Sequence, residues 1–335
     1  MKRSGQFILI LCLVVAISSL TSHLAVSWLK IRAMPVKYAS FGPTNQPASA
    51  FLAGSSLAFH GLDWNRIAES LGLNMQTWMV AGSSPAEWEV YQDRAPQATC
   101  TFIVVSAYDM NEDWLCDFHA DVVPLSETVR SLRQCGADRP FCKKMLSQYP
   151  LMLARKLFPT AGRSDGVMVG IRGKLQRMMH AAASGAEGDA PQFEASGASA
   201  NRDKITDWSK ARLQRRLVSL RNASQGKESF NGPKKYALTR MLQQAELHGK
   251  GILIVLPVSP FYHEAFLTPE VLRDFESTLT DVRHACPQTQ IIRLDSVASL
   301  DDNDHFWDLV HMNTVGQQIA TASLMAQLHS VSRNP

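Results

Sequence analysis

Two uninterrupted apolar runs constrain the fold of this chain most strongly. Residues 101–105 and 252–256 consist almost entirely of β-branched and large aliphatic side chains. Runs of this kind are typical of strands that are buried on both faces, as in parallel sheets covered by helices. Shorter or less continuous apolar runs occur at 50–53, 75–80 and 290–294. Because the runs alternate with segments of helical pattern, the chain is predicted to be an α/β protein, a three-layer α/β/α sandwich around a parallel sheet of flavodoxin-like type.

The helical segments predicted around this sheet have ordinary start and stop signals. One begins at Pro85 behind Ser84, and others cover 64–71, 208–220, 234–248, 269–286 and 313–329. Between about 112 and 232 no comparable strand run occurs, so this stretch is predicted to be a helical insertion, with a Gly-, Ala- and Ser-rich loop at 182–203. The expected organisation is a terminal segment at 1–30, a proline-containing linker at 31–47 and one domain at 48–335.

The N-terminal segment has the pattern of a membrane-directing sequence. Lys2 and Arg3 precede an apolar stretch at 7–29, and a bilayer-spanning helix needs about 20 mostly apolar residues. We expect a retained signal anchor, with a cleaved signal peptide ending near 25–27 as the alternative. Either places the rest of the chain across the membrane. The expected location is therefore the inner (cytoplasmic) membrane, single-pass, with the domain on the periplasmic side.

Composition excludes several other classes. The net charge of +4 is too small to indicate nucleic-acid binding. The chain contains no cysteine pairs spaced for zinc and no Gly-rich loop for phosphate, so neither a metal nor another cofactor is predicted. Of the six cysteines, Cys135 and Cys142 flank a short loop. A disulfide between them and two free thiols are both compatible with the sequence.

The residues with a chemical role are predicted at the two ends of the domain. Ser55 and Ser56 follow the first strand and Gly54, at the start of a helical segment where N–H groups and the helix dipole favour negative charge. Near the other end, Asp308 lies three residues before His311, a spacing that lets a carboxylate orient an imidazole as a general base. Since Ala-Gly-Ser-Ser recurs at 81–84, this pattern alone does not choose the nucleophile among four serines.

These end motifs resemble the blocks of the SGNH (GDSL-type) hydrolase superfamily. Its Gly-Asp-Ser-Leu block is similar to residues 54–57, which makes Ser56 the matching nucleophile and puts Ser55 in place of the usual aspartate. Its last block, Asp-x-x-His before the final helix, is similar to Asp308 and His311. The resemblance implies a Ser56–His311–Asp308 triad. It covers roughly residues 48–115 and 235–330.

The middle blocks of the family are less closely matched. Gly82 lies where the second block supplies an oxyanion N–H, so the resemblance implies an oxyanion hole formed by the N–H groups of Ser56 and Gly82. The third block, usually Gly-x-Asn-Asp, corresponds to 106–109 and lacks the glycine and the asparagine. Asn111 is then the candidate third donor.

Within the superfamily, the arrangement resembles membrane-tethered O-acyltransferases that modify alginate-like polysaccharides or teichoic acids. This implies an acylated donor, a glycan acceptor and a membrane-bound O-acyltransferase partner. With water as the acceptor, the same site is an esterase. A non-catalytic glycan- or partner-binding protein on this fold and a secreted lipase are the alternatives. The basic residues of segment 208–220 predict either a solvated helix face or a contact with acidic polymer or lipid.

Overall fold

The α/β sheet predicted from the apolar runs is present in the computed structural model of the chain. The structure describes residues 2–28, 40–41, 49–92, 98–112, 119–135, 150, 153–154, 157–158, 204–223 and 228–332. Cys142, one of the two cysteines for which a disulfide and free thiols were both compatible with the sequence, lies outside these residues, as does the predicted loop at 182–203. The predicted insertion is described only in part.

Five parallel strands form the body of the sheet. They are β2 (Ala50–Gly54), β3 (Met75–Met79), β4 (Cys100–Ser106), β5 (Lys250–Leu256) and β6 (Gln290–Arg293), in the order β3-β2-β4-β5-β6. A two-residue strand, β1 (Ser40–Phe41), pairs antiparallel with β3 at the edge. All five predicted runs are therefore strands, and the parallel sheet of order 2-1-3-4-5 is consistent with an SGNH-like fold. Strands β4 and β5 have six buried residues each, because the sheet is covered along them.

Helices follow most strands and pack in two groups. In chain order they are α1 (Lys2–Trp28), α2 (Ser56–Gly61), α3 (Trp64–Leu71), α4 (Pro85–Gln92), α5 (Ala107–Met110), α6 (His119–Val122), α7 (Leu125–Cys135), α8 (Lys210–Ala223), α9 (Pro233–His248), α10 (Pro260–Phe266), α11 (Pro269–Ala285) and α12 (Thr314–Ser332). Helix α9 packs against α4, α7 and α11 and against β4 and β5, whereas α12 packs against α2. Short 3₁₀ turns at Leu294–Ser296, Ala298–Leu300 and Asn303–His305 lead from β6 towards α12.

The segment after β2 differs from the sequence prediction. A single helix was expected after the turn, whereas the chain forms α2, breaks at Leu62 and Asp63, and restarts as α3. The Asp63 side chain caps α3 by accepting from the N–H of Arg66, and the Asp63 N–H donates to Thr321 of α12. The break therefore lets the chain turn where it meets the last helix.

The N-terminal segment forms helix α1. Over the part of the chain that the structure describes, no helix combines the length and the apolar character that crossing a membrane requires. Of the predicted linker at 31–47, only the β1 strand is described.

Candidate active site

The turn between β2 and α2 presents two serines in different environments. Ser55 is buried and caps α2, since its Oγ accepts from the N–H of Leu57 at 3.1 Å. Ser56 is the first residue of the helix and is only half-buried. Gly54 permits this tight turn, because a Cβ at this position would lie 2.4 Å from the Cβ of Ala58. The local structure therefore leaves Ser56 as the accessible hydroxyl.

The loop between the 3₁₀ turns and α12 carries the other end of the site. Phe306 and Met312 form an isolated antiparallel bridge, so the residues between them make a closed loop. The carbonyl of Leu309 accepts from the N–H of Ser259, which fixes the loop to the end of β5. Asn313 caps α12 through the N–H groups of Val315 and Gly316. The loop is thus fixed at its two ends by the bridge and at Leu309 by the hydrogen bond from Ser259.

The structure brings the three predicted residues of the triad together. His311 Nε2 lies 2.9 Å from Ser56 Oγ. On the other side of the ring, His311 Nδ1 lies 2.8 Å from Asp308 Oδ2 and 3.0 Å from Oδ1. Residues 255 positions apart in sequence therefore form a Ser–His–Asp hydrogen-bonded chain.

The surroundings of Asp308 favour its ionised form. Burial alone would raise the pKa of Asp308, but the hydrogen bond and charge of His311 and the N–H groups of Val310 and His311 outweigh it, so the pKa lies below its usual value. A buried carboxylate in this position orients the imidazole and stabilises the imidazolium. Ser56 is then next to a base with a fixed tautomer at Nδ1.

Two backbone N–H groups, those of Ser56 and Gly82, are the predicted oxyanion donors. The N–H of Val80 donates to the carbonyl of Gly54, which holds the end of β3 beside the turn between β2 and α2. Gly82 follows in an exposed turn with φ of +70°, a conformation that favours glycine. Within the described chain, the N–H groups of Ser56 and Gly82 donate to no other group. They are therefore free to bind a ligand oxygen.

Asn111 is placed differently from this pair. It is buried after α5, and its side-chain amide donates to Glu228. The backbone carbonyl of Asn111 accepts from the ammonium group of Lys234. These bonds fix Asn111 in a buried polar network, which argues against its predicted role as an oxyanion donor.

Asp109 is a neighbour of the turn between β2 and α2, and the sequence did not single it out as a site residue. Its carboxylate accepts from the N–H and Oγ of Ser106, at 3.0 and 3.1 Å. Burial raises the pKa of Asp109 to about 6, although the hydroxyls of Ser55 and Ser106 and the charge of Lys234 lower it. Its position at the end of the strand next to β2 was the available sequence signal.

Tyr108 lies beside the same end of the sheet. Burial and the charges of Asp109 and Asp308 together raise the pKa of Tyr108 to about 12, although the charge of Arg216 lowers it. Its ring meets that of Tyr262 edge-on, at 5.9 Å.

The second Ala-Gly-Ser-Ser has a structural role. Ser83 is buried, donates to the carbonyl of Val80 and accepts from the indole N–H of Trp88. Ser84 donates its hydroxyl and its N–H to Glu87 at the start of α4. The structure therefore separates the four serines that the sequence pattern left equivalent.

The described residues contain no group of three or more His, Cys, Asp or Glu side chains arranged to hold a metal ion. No known protein-family model matches the chain, and no curated protein is significantly similar to it. An accessible serine, a base with a fixed tautomer and two free N–H groups are the groups that acyl transfer requires.

Proposed function

We propose that the chain is a serine O-acyltransferase or esterase of the SGNH type, acting on a cell-envelope polysaccharide through an acyl-serine intermediate. The observation that carries the proposal is the 2.9 Å contact between Ser56 Oγ and His311 Nε2, with Asp308 behind the imidazole. The parallel sheet supports it, because sites in open α/β sheets lie at the carboxyl ends of the strands. Ser56 follows β2 at that end. For the fold, we propose a three-layer α/β/α sandwich around this sheet.

In the first half-reaction, Ser56 Oγ attacks the acyl carbonyl of a donor ester and His311 Nε2 takes the hydroxyl proton. The negative oxygen of the tetrahedral intermediate accepts from the N–H groups of Ser56 and Gly82. Loss of one such donor typically costs about 3 to 4 kcal/mol in the barrier. The intermediate collapses when the bond to the donor alcohol breaks, and that alcohol leaves with the proton held by His311. Ser56 then carries the acyl group as an ester.

In the second half-reaction, His311 Nε2 takes a proton from the acceptor hydroxyl, whose oxygen attacks the acyl-serine. Collapse releases the acylated acceptor, and the proton returns to Ser56 Oγ. A sugar hydroxyl as the acceptor makes the chain a transferase, whereas water makes it an esterase. Asp308 stays ionised throughout and stabilises the imidazolium in both steps.

The proposed setting follows from the resemblance and from the N-terminal pattern. Segment 1–30 would tether the domain to the inner membrane with the site on the periplasmic side. A membrane-bound O-acyltransferase would then supply the acylated donor, and a glycan outside the membrane would be the acceptor.

The test is covalent labelling of the full-length protein with a fluorophosphonate, together with release of nitrophenol from a nitrophenyl acetate. Ser56→Ala is expected to abolish labelling and to lower hydrolysis about a thousandfold or more. The matched control is Ser70→Ala, because Ser70 forms an exposed pair with His329 at 3.2 Å on the surface. Ser70→Ala should label and hydrolyse as the unmodified chain does. Unchanged labelling in Ser56→Ala would contradict the proposal.

The second candidate is a non-catalytic glycan- or partner-binding protein on the same fold. It is favoured by the departure of residues 106–109 from the third block and by the engagement of Asn111 with Glu228. On this alternative, folded protein binds polysaccharide but Ser56 does not react with the fluorophosphonate. The same labelling experiment therefore separates the two candidates.

A further inference from the structure

Two aromatic rings contact the His311 imidazole in addition to Asp308 and Ser56. The indole of Trp307 is stacked on it, with ring centroids 4.9 Å apart and planes at 16°. His60 meets the imidazole edge-on, at 5.4 Å and 89°. His60 also meets Trp307 edge-on, at 5.9 Å and 80°. The three rings thus contact one another in pairs.

The backbone fixes where these rings lie. Trp307 and His311 are at the two ends of the loop that the Phe306–Met312 bridge closes, and the N–H of Trp307 donates to the carbonyl of His311 at 3.1 Å. His60 is four residues after Ser56 in α2, so both side chains lie on one face of that helix. The rings are therefore brought together by the same two elements that bring the nucleophile to the base.

We propose that Trp307 and His60 are positioning residues for His311, holding the imidazole in the plane that directs Nε2 at Ser56. This inference rests on the proposed function, because it assigns a role towards the general base of that reaction. Two mechanisms act together. Stacking prevents rotation of the imidazole about its Cβ–Cγ bond, and the negative face of the indole stabilises the positive charge that the imidazole carries in each half-reaction.

A close-packed aliphatic residue would fill the space at 307 without providing either effect. The near-parallel stack aligns the face of the indole with the whole imidazole ring, which a branched aliphatic side chain does not reproduce. The effect belongs to the chemical step, because His311 is charged in the transition states and in the tetrahedral intermediates but not before attack. Loss of the stack should therefore change kcat rather than KM.

The kinetic test compares Trp307→Leu with Trp307→Phe in the full-length protein. Trp307→Leu is expected to lower kcat for nitrophenyl acetate hydrolysis roughly tenfold, with KM within about twofold. Trp307→Phe keeps an aromatic face and should restore kcat to within about threefold of the unmodified chain. Phe59→Leu is the matched control, since the Phe59 ring contacts His60 at 5.1 Å from the same helix. It should leave kcat unchanged.

A spectroscopic arm reports the stack without relying on activity. In protein labelled with ¹³C at histidine Cε1, the resonance that disappears in His311→Gln belongs to His311. The indole ring current should shield this resonance, and Trp307→Leu should move its proton signal downfield. His60→Leu, outside the 306–312 loop, is the substitute test if Trp307→Leu does not fold. His60→Leu should also lower kcat.

The outcomes separate this inference from the proposed function. A Trp307→Leu protein with a lowered melting temperature but unchanged kcat, in a chain that Ser56→Ala inactivates, would assign Trp307 a purely structural role and overturn the positioning proposal alone. An unmoved His311 resonance would overturn it as well. Full activity in Ser56→Ala would overturn both proposals.

Discussion

At the scale of single residues, the two adjacent serines have different environments although the sequence makes them look alike. Ser56 Oγ lies 2.9 Å from His311 Nε2. Ser55 is buried and caps α2 by accepting from the N–H of Leu57, and its hydroxyl lowers the pKa of Asp109. The resemblance puts Ser55 where an aspartate is usual. Here a carboxylate already approaches that position from the next strand, because Asp109 follows β4. A small neutral hydroxyl at 55 is the residue that fits beside it.

Ser55→Ala is expected to lower the free energy of unfolding by about 1 to 2 kcal/mol, the typical cost of losing an N-cap. Ser55→Asp should be more destabilising than Ser55→Ala, since it puts a second carboxylate beside buried Asp109. Urea unfolding of both variants checks the order. Both should still react with a fluorophosphonate at Ser56 when folded. A Ser55→Asp protein more stable than Ser55→Ala would show that Asp109 does not face residue 55 as a carboxylate.

At the scale of elements, the strands were predictable and several helix boundaries were not. Strands β4 and β5 are buried on both faces, so nearly every residue is apolar and the run is visible in the sequence. The break between α2 and α3 was missed because it depends on a distant partner, the donation from the N–H of Asp63 to Thr321. Helix α10, with the Ser259 cap and Pro260 as its start signals, was also overlooked.

The junction of the 306–312 loop with α12 depends on a glycine. A Cβ at Gly316 would lie 2.4 Å from the carbonyl oxygen of His305, a contact with backbone that cannot simply rotate away. Gly316→Ala is therefore expected to displace the 3₁₀ turn from α12 and to destabilise the protein by about 1 to 3 kcal/mol. Gln318→Ala, at an exposed position of the same helix, is the control and should be neutral. Thermal unfolding and the rate of Ser56 labelling measure both effects. Equal stability of the two variants would contradict the predicted clash.

At the scale of the whole molecule, the site exists because the sheet brings distant segments to one edge. The triad motifs were predictable as separate pieces, since Asp308 and His311 are local and Ser56 follows a recognisable strand. The network around Asn111 was not, because Glu228 and Lys234 come from the far side of the predicted insertion. A buried cation and its carboxylates have no periodic signature, so a linear pattern does not reveal which charges meet.

That buried network should make stability depend on pH. Glu112 accepts from the N–H groups of Lys234 and Lys235, at 2.7 and 3.3 Å, at the start of α9. Burial raises the pKa of Glu112 from 4.5 to about 7, although the charge of Lys234 and the backbone N–H groups lower it. The pKa of Asp109 is also raised, to about 6, so Asp109 changes stability with pH in the same direction. In this range the folded chain keeps protons that the unfolded chain releases, so the free energy of unfolding falls as pH rises from about 4.5 to 7.

Glu87 and Asp308 make stability depend on pH in the opposite direction. Each carboxyl is buried, which by itself raises its pKa, but a histidine partner more than compensates, so both pKa values are lowered. The stability that these two groups contribute is present above their unfolded values and is lost as pH falls through the lowered ones. Stability should therefore be greatest in mildly acidic solution.

Glu112 has a higher pKa than Asp109, and Glu112→Gln tests its contribution to the pH dependence of stability. Glutamine keeps an acceptor oxygen for the two N–H groups but does not ionise. The unmodified protein is expected to lose on the order of 3 kcal/mol between pH 5 and 7.5 through this group, at about 1.4 kcal/mol per pKa unit. In Glu112→Gln the fall should be shallower by that amount. Glu276→Gln is the control, since the hydrogen bond from Arg293 outweighs partial burial and lowers the pKa of Glu276 below this range. Its curve should run parallel to that of the unmodified chain. Urea unfolding at half-unit pH steps gives all three curves, and an undiminished slope in Glu112→Gln would show that Glu112 does not hold its proton in the folded protein.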